Sequence, residues 1–179
     1  MKLYRRPEPG EYNPYYGTYI DKIDTDDILG YLKKQGLEIM YLLRGLSEEQ
    51  GVYRYAPGKW TVKEVVGHLI DTERLFAFRG LWFARAETQA QPGMDENAWA
   101  AASNAGARPW PELWREQHVA RTDHVYLLKS FDGEAVGRSG LADGSPMTVR
   151  AIPWIMAGHE RHHLDVLYSR YGLKTLPSE

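Results

Sequence analysis

The chain contains no cysteine. That absence excludes a disulfide scaffold, thiolate-ligated zinc and a protein thiol nucleophile, and it is compatible with a reducing compartment. Long apolar runs are missing too. No segment approaches the ~18 consecutive apolar residues of a membrane span. The start, "MKLYRRPEPGEYNPYYGTY", has charges with no apolar stretch behind them, so it does not read as a signal peptide. A soluble, cytoplasmic protein that does not engage a membrane is expected. An excess of positive charge is also absent. Lys and Arg number 22 against 24 Asp and Glu, giving a formal net charge of -2. The basic residues are scattered, so nucleic acid is not expected as a partner. Strand signals are sparse, and there is no internal repeat or low-complexity tract.

What is present fits one globular domain over residues 1–179, with 43% hydrophobic and 26% charged residues and enough chain for a core. Four segments have helical periodicity, at about 26–46, 61–86, 109–131 and 148–171. Ile28, Leu32, Ile39 and Leu43 mark the stripe of the first. Thr61 and Glu64 form a capping box that opens the second. Leu113, Gln117, Ala120, His124, Leu127 and Phe131 share a face of the third. Gly172 stands where a cap would end the fourth. Pro153 requires that this last helix start near Ile152 or be kinked in its first turns. "SEEQGVYRYAPGKW" reads as a connection, and residues 87–108 as a longer link with a short helix around "DENAWAAA". "DGEAVGRSGLADGSP" reads as loop. Four such helices predict an all-α four-helix bundle, and two links are long enough to cross over.

The chemistry concentrates in "AGHERHHLDVL", residues 157–167. At ~100° per residue, His163 falls with Ile152, Ile155, Met156, Val166 and Leu167 on the same apolar stripe as His159. His159 and His163 therefore lie one turn apart on the inner face. Both imidazoles would need buried partners there, or a shared ion. His162 falls on one edge of the stripe and Glu160 on the other. An i,i+4 pair gives two ligands, whereas a catalytic zinc site typically uses three plus a water. His68, on the inner face of the second helix with Val65, Thr72, Leu75 and Phe83, can supply the third. His124 is a possible fourth ligand or a hydrogen-bonded core histidine. His118 turns away from its stripe and is expected to be exposed. His159-Glu160-Arg161-His162-His163 also satisfies the zinc-peptidase pattern H-E-x-x-H. That reading is weak, because no histidine follows His163, Asp165 is on the wrong face and Glu179 is the terminus.

Supporting roles stay open. Asp71 could orient a ligand nitrogen or pair with Arg74 on the surface. Glu160 could act as a general base beside the metal or form a solvated flank. Arg79, above His68 on the inner face, could pair with a buried carboxylate or hold an anionic substrate. Trp60 is expected to staple the start of the second helix. Tyr12, Tyr15 and Tyr16 could form an N-terminal arm over the site.

"KWTVKEVVGHLIDTERLFAFR" together with "AGHERHHLDVL" resembles the DinB-like superfamily, whose members are also grouped with YfiT-like metal-dependent hydrolases. The likeness runs from "RPEPGEYNPYY" through the last helix. It implies a four-helix bundle connected up-down-down-up, often a homodimer, with divalent zinc or nickel held by His68, His159 and His163. It also implies activities that include transfer and isomerisation with low-molecular-weight thiols such as bacillithiol, mycothiol or glutathione. The leading expectation is a metal-dependent transferase using such a thiol on a small-molecule substrate. A metal-dependent hydrolase and a non-catalytic metal-binding bundle are the alternatives.

Overall fold

The computed structural model describes residues 3–173. Glu179, considered above as a ligand, lies outside them. After a 3-10 turn at Pro14–Tyr16 comes α1 (Gly17–Ile20), followed by the long helix α2 (Ile28–Arg44) and a single turn, α3 (Glu48–Gly51). The second long helix is α4 (Val62–Ala84), followed by the short α5 (Glu96–Ala102). Then come α6 (Trp110–Lys129), the short α7 (Gly133–Gly137), strands β1 (Ser139–Ala142) and β2 (Ser145–Thr148), and α8 (Ile152–Ser169).

The start of each long helix has a local cause. Asp27 caps α2 by accepting from the Gly30 amide at 3.0 Å. Thr61 and Glu64 form the reciprocal capping box of α4, a feature worth about 1 kcal/mol. Pro153 sits in the first turn of α8, where its missing N–H removes no helical bond. The helix therefore starts at Ile152 instead of being kinked. Residue 148, expected inside this helix, belongs to β2.

α2, α4, α6 and α8 form the bundle. α2 and α4 each pack against both α6 and α8, which places α2 diagonal to α4. Side-chain pairs fix the directions. Gln35 donates to the Ala157 carbonyl and Arg161 to Glu38, so α2 and α8 run parallel. Gly80 lies over Ile152 and His68 over His159, so α4 and α8 are antiparallel. The connectivity is up-down-down-up. Parallel neighbours α4 and α6 require the chain to return along the bundle, roughly 35 Å for a helix of this length, which is why the link between them is long.

The segment "DGEAVGRSGLADGSP" is not the loop expected from its glycine and serine content. It forms α7 and an antiparallel hairpin pairing Ser139 with Thr148 through Ala142 with Ser145. Asp143 and Gly144 have φ of 52° and 68°. Both positive values suit a two-residue hairpin turn whose twist matches its strands. The link from α4 is tied to this hairpin by Gln91, whose amide donates to Leu141 and whose carbonyl accepts from Asp143.

Two hydrophobic clusters fill the bundle. One includes Leu32, Phe76, Val125 and Ile155, and the other Ile39, Leu69, Leu113 and Leu164. Between them lies a polar layer of Gln35, His68, Thr72, Glu73, Gln117, Arg121, His124, His159 and Glu160, all buried. Within it Arg121 is 2% exposed and makes a two-pronged pair with Glu73, at 2.6 and 2.9 Å. Its guanidinium also reaches Glu160 at 3.1 Å. Such a layer costs desolvation and holds only while each member keeps its partners.

Candidate metal centre

α4 presents His68 and α8 presents His159 and His163 at the polar layer, so their ring nitrogens converge. His68 Nε2 lies 3.1 Å from His159 Nε2, and His163 Nε2 lies 3.2 Å from His159 Nε2. One ligand nitrogen from each of the three falls within 4.8 Å of the others, the one such group among the described residues. A single Nε2 carries either a proton or a lone pair, so His159 cannot satisfy both neighbours with ordinary hydrogen bonds. A cation between them satisfies all three. With zinc–nitrogen bonds of about 2.0–2.1 Å, tetrahedral ligands stand roughly 3.3 Å apart. The two separations from His159 fit that chemistry.

Protonation agrees. Burial, then the His162 charge, pushes His68 down to about 4. Burial, then His68 and His162, pushes His163 down to about 3. His159 lies well below its ordinary value for the same reason, burial first and the neighbouring imidazoles next. All three are neutral at pH 7 and offer lone pairs, the form that binds a metal.

Aromatic rings pack around the three histidines. Trp60 packs on His68 with centroids 4.9 Å apart. Tyr19 meets His159 edge-on at 5.4 Å, and Phe76 meets it at 6.3 Å. His162 stays beside the cluster, half-buried and 5.5 Å from Tyr19. The centre is reached from two sides. A cavity of about 250 Å³ touches His68 and His159 and is walled by Tyr16, Tyr19, Phe76 and Arg79. A second, also about 250 Å³, touches His163 between Trp60 and Tyr171.

Several expectations need correction. Glu160 is neither a base beside the cluster nor a solvated flank. It is 2% exposed and turned to α6, where it accepts from Gln117 at 2.7 Å and from Arg121. α8 packs against both α2 and α4, so the edge of its apolar stripe is also interior. This removes the catalytic glutamate of the peptidase pattern, and Asp165 pairs with Lys22 instead. His124 does not join the converging group; its Nδ1 lies 3.6 Å from Glu73 in the polar layer, beyond hydrogen-bond range. Asp71 makes no hydrogen bond to any of the three converging histidines. Burial raises its carboxyl pKa, with Arg74, Glu116 and Arg108 as the charges around it. His118 is half-buried against the groove between α2 and α6 rather than exposed. Arg79 has no carboxylate partner among the described residues and lines the first cavity. Of the tyrosines, Tyr15 and Tyr16 line that cavity, while Tyr12 packs against the core.

Sequence reasoning missed Tyr19, Phe76 and the Glu73–Arg121 pair. A charged residue on the inner stripe of α6 was the available signal for Arg121. Nothing short of the fold announces Tyr19.

Comparison with known proteins agrees with this geometry. The structure is similar to YfiT from Bacillus subtilis, described as a probable metal-dependent hydrolase with an unusual four-helix bundle topology. The TM-score is 0.69 at 17% identity, covering 97% of this chain and 100% of that one. It is also similar to a mycothiol-dependent maleylpyruvate isomerase, with a TM-score of 0.66 at 10% identity, covering 80% of this chain and 60% of that one. At these identities the likeness is one of fold. No curated protein matches by sequence. The DinB superfamily model matches residues 32–167, which include all three converging histidines, and the chain belongs to that superfamily.

Proposed function

We propose that the protein is a divalent-metal enzyme whose metal, zinc or nickel, is held by His68, His159 and His163, and that it hydrolyses a small-molecule substrate. The observation behind this reading is the convergence of three neutral imidazole nitrogens, two of them lining one cavity and the third another. A divalent ion held by these histidines would supply Lewis acidity, which would favour attack by water or by a thiol. The chain's own residues set the rest. Burial keeps the histidines unprotonated, Trp60 and Tyr19 fix their rings, and Phe76 with Leu75 gives the cavity an apolar wall.

A thiol transferase remains the second reading. The chain has no cysteine of its own, so a thiol nucleophile must come from outside. Two cavities meeting at one centre offer separate approaches for a thiol and its acceptor. A cytoplasmic homodimer belongs to the proposal on family resemblance.

The test is a parallel screen of the zinc- and nickel-loaded protein against ester, amide and lactone substrates. Each is assayed with water alone and with added glutathione, mycothiol or bacillithiol, with His68→Ala as control. Turnover without thiol that disappears in His68→Ala supports hydrolysis. Turnover only with thiol transfers the conclusion to the second reading. Metal bound with no turnover of any kind favours a non-catalytic bundle.

A further inference from the structure

Three cations of the described residues are buried: Lys63, Arg79 and Arg121. Lys63 pairs with Glu48, and Arg121 with Glu73 and Glu160. Arg79 is 2% exposed, and among the described residues no carboxylate lies within ion-pair distance of it. Its Nη2 donates to the Pro92 carbonyl at 2.6 Å. Tyr16 lines the same cavity as its side chain. Its Nε–H is buried with no acceptor among the described residues. A buried guanidinium is costly without a counter-charge, because burial removes the water that would otherwise stabilise it. This guanidinium instead borders the cavity above His68 and His159.

We infer that Arg79 receives the carboxylate of the substrate, so that the protein acts on a small carboxylic acid. Guanidinium offers donors in a planar fork that matches a carboxylate. Phe76 sets the line of the bound molecule. Its ring is 5.9 Å from Arg79 Cζ and 6.3 Å from the His159 ring. An acid lying across Phe76 puts its carboxylate at Arg79 and its far end at the histidine cluster. Leu75 and Phe76 supply apolar contact for the carbons between. The cavity volume of about 250 Å³ is below the roughly 300–1,000 Å³ of sites for drug-sized ligands. A compound of a few carbons therefore fits. Glu96 and Asp143 also line this cavity. Their charges favour a singly charged carboxylate over a phosphate dianion. The position of the reacting end rests on the metal reading above; the Arg79 contact does not.

The test follows the Arg79 side chain in the intact, metal-stripped wild-type protein. The Nε–H resonance of Arg79 is identified by its loss in Arg79→Lys and monitored by proton–nitrogen correlation during titration with acetate, butyrate and inorganic phosphate. Saturable shifts are expected with acetate and butyrate, butyrate binding the tighter. Phosphate should bind more weakly than either. Arg79→Lys should weaken butyrate binding by about tenfold or more, since ammonium lacks the planar fork. A wild-type resonance that neither carboxylate moves overturns the inference, even if Arg79→Lys is poorly folded. So does phosphate binding tighter than butyrate, or equal butyrate affinity in a folded Arg79→Lys. Zinc uptake by the same wild-type sample separates the two readings. A shifted Arg79 without zinc uptake supports this inference while ending the metal reading. Zinc uptake with a silent Arg79 does the reverse.

Discussion

Gly158 of α8 lies directly against the backbone of Tyr19 in α1: a Cβ added to Gly158 would stand 2.2 Å from the Tyr19 carbonyl oxygen. Only a residue without a side chain permits this approach, and the approach is what brings the Tyr19 ring to His159, the next residue along. Gly158→Ala is therefore expected to push α1 away from α8. Stability should fall by about 1–3 kcal/mol, the usual cost of forcing an extra methyl into a packed interface. Urea denaturation measures this; a change below about 0.5 kcal/mol would mean that α1 is not seated as described.

Metal content separates ligands from neighbours. His68→Ala and His163→Ala should each lose bound zinc or nickel, and His162→Ala should retain it. The measurement is mass spectrometry of untagged protein after incubation with each metal. Retention in His68→Ala, or loss in His162→Ala, would contradict the triad of converging nitrogens.

The polar layer makes an asymmetric prediction. Arg121 is the cation shared by Glu73 and Glu160. Arg121→Ala leaves two buried carboxylates without it and should cost on the order of 3–5 kcal/mol. Glu160→Gln should cost much less. Burial raises the Glu160 carboxyl pKa, against the pull of Arg121, and a neutral amide preserves its shape. Zinc should stay bound in Glu160→Gln, because this side chain faces α6 instead of the ligands. Equal destabilisation by the two substitutions, or loss of zinc in the second, would refute this arrangement.

The metal-free protein should be sensitive to mild acid. His68 and His163 titrate at about 4 and about 3 when folded, against an ordinary value of 6.5. Their folded values are depressed, so the unfolded chain takes up protons first as pH falls. The associated stability is present above about pH 6.5 and declines as pH falls toward the folded values. Thermal midpoints of stripped protein between pH 7.5 and 4.5 should therefore drop, and His163→Gln should drop less steeply. A flat wild-type profile would show that these imidazoles are not buried as neutral groups.

Much of the fold and the inward placement of the three histidines was legible because it depends on local chemistry. Helix periodicity, the Thr61–Glu64 capping box and the i,i+4 spacing of His159 and His163 follow from 3.6 residues per turn. They put three histidines on inner faces before any packing was known. The hairpin at Ser139–Thr148 was missed because glycine and serine content outweighed the Asp143-Gly144 turn signal. Glu160 was misplaced for a different reason. An angle around one helix says where a side chain points but not which helix stands opposite.

The sequence by itself determined which residues are available: three imidazoles on apolar stripes, no thiol, and helices with defined starts. Tertiary structure alone decided their partners. It set α8 against both α2 and α4, which committed Glu160 to Arg121. It also left Arg79 without a carboxylate among the described residues and carried Tyr19 to His159 through a contact that only Gly158 allows. These outcomes depend on where separate helices cross, and crossing positions are fixed by packing and desolvation over the whole bundle.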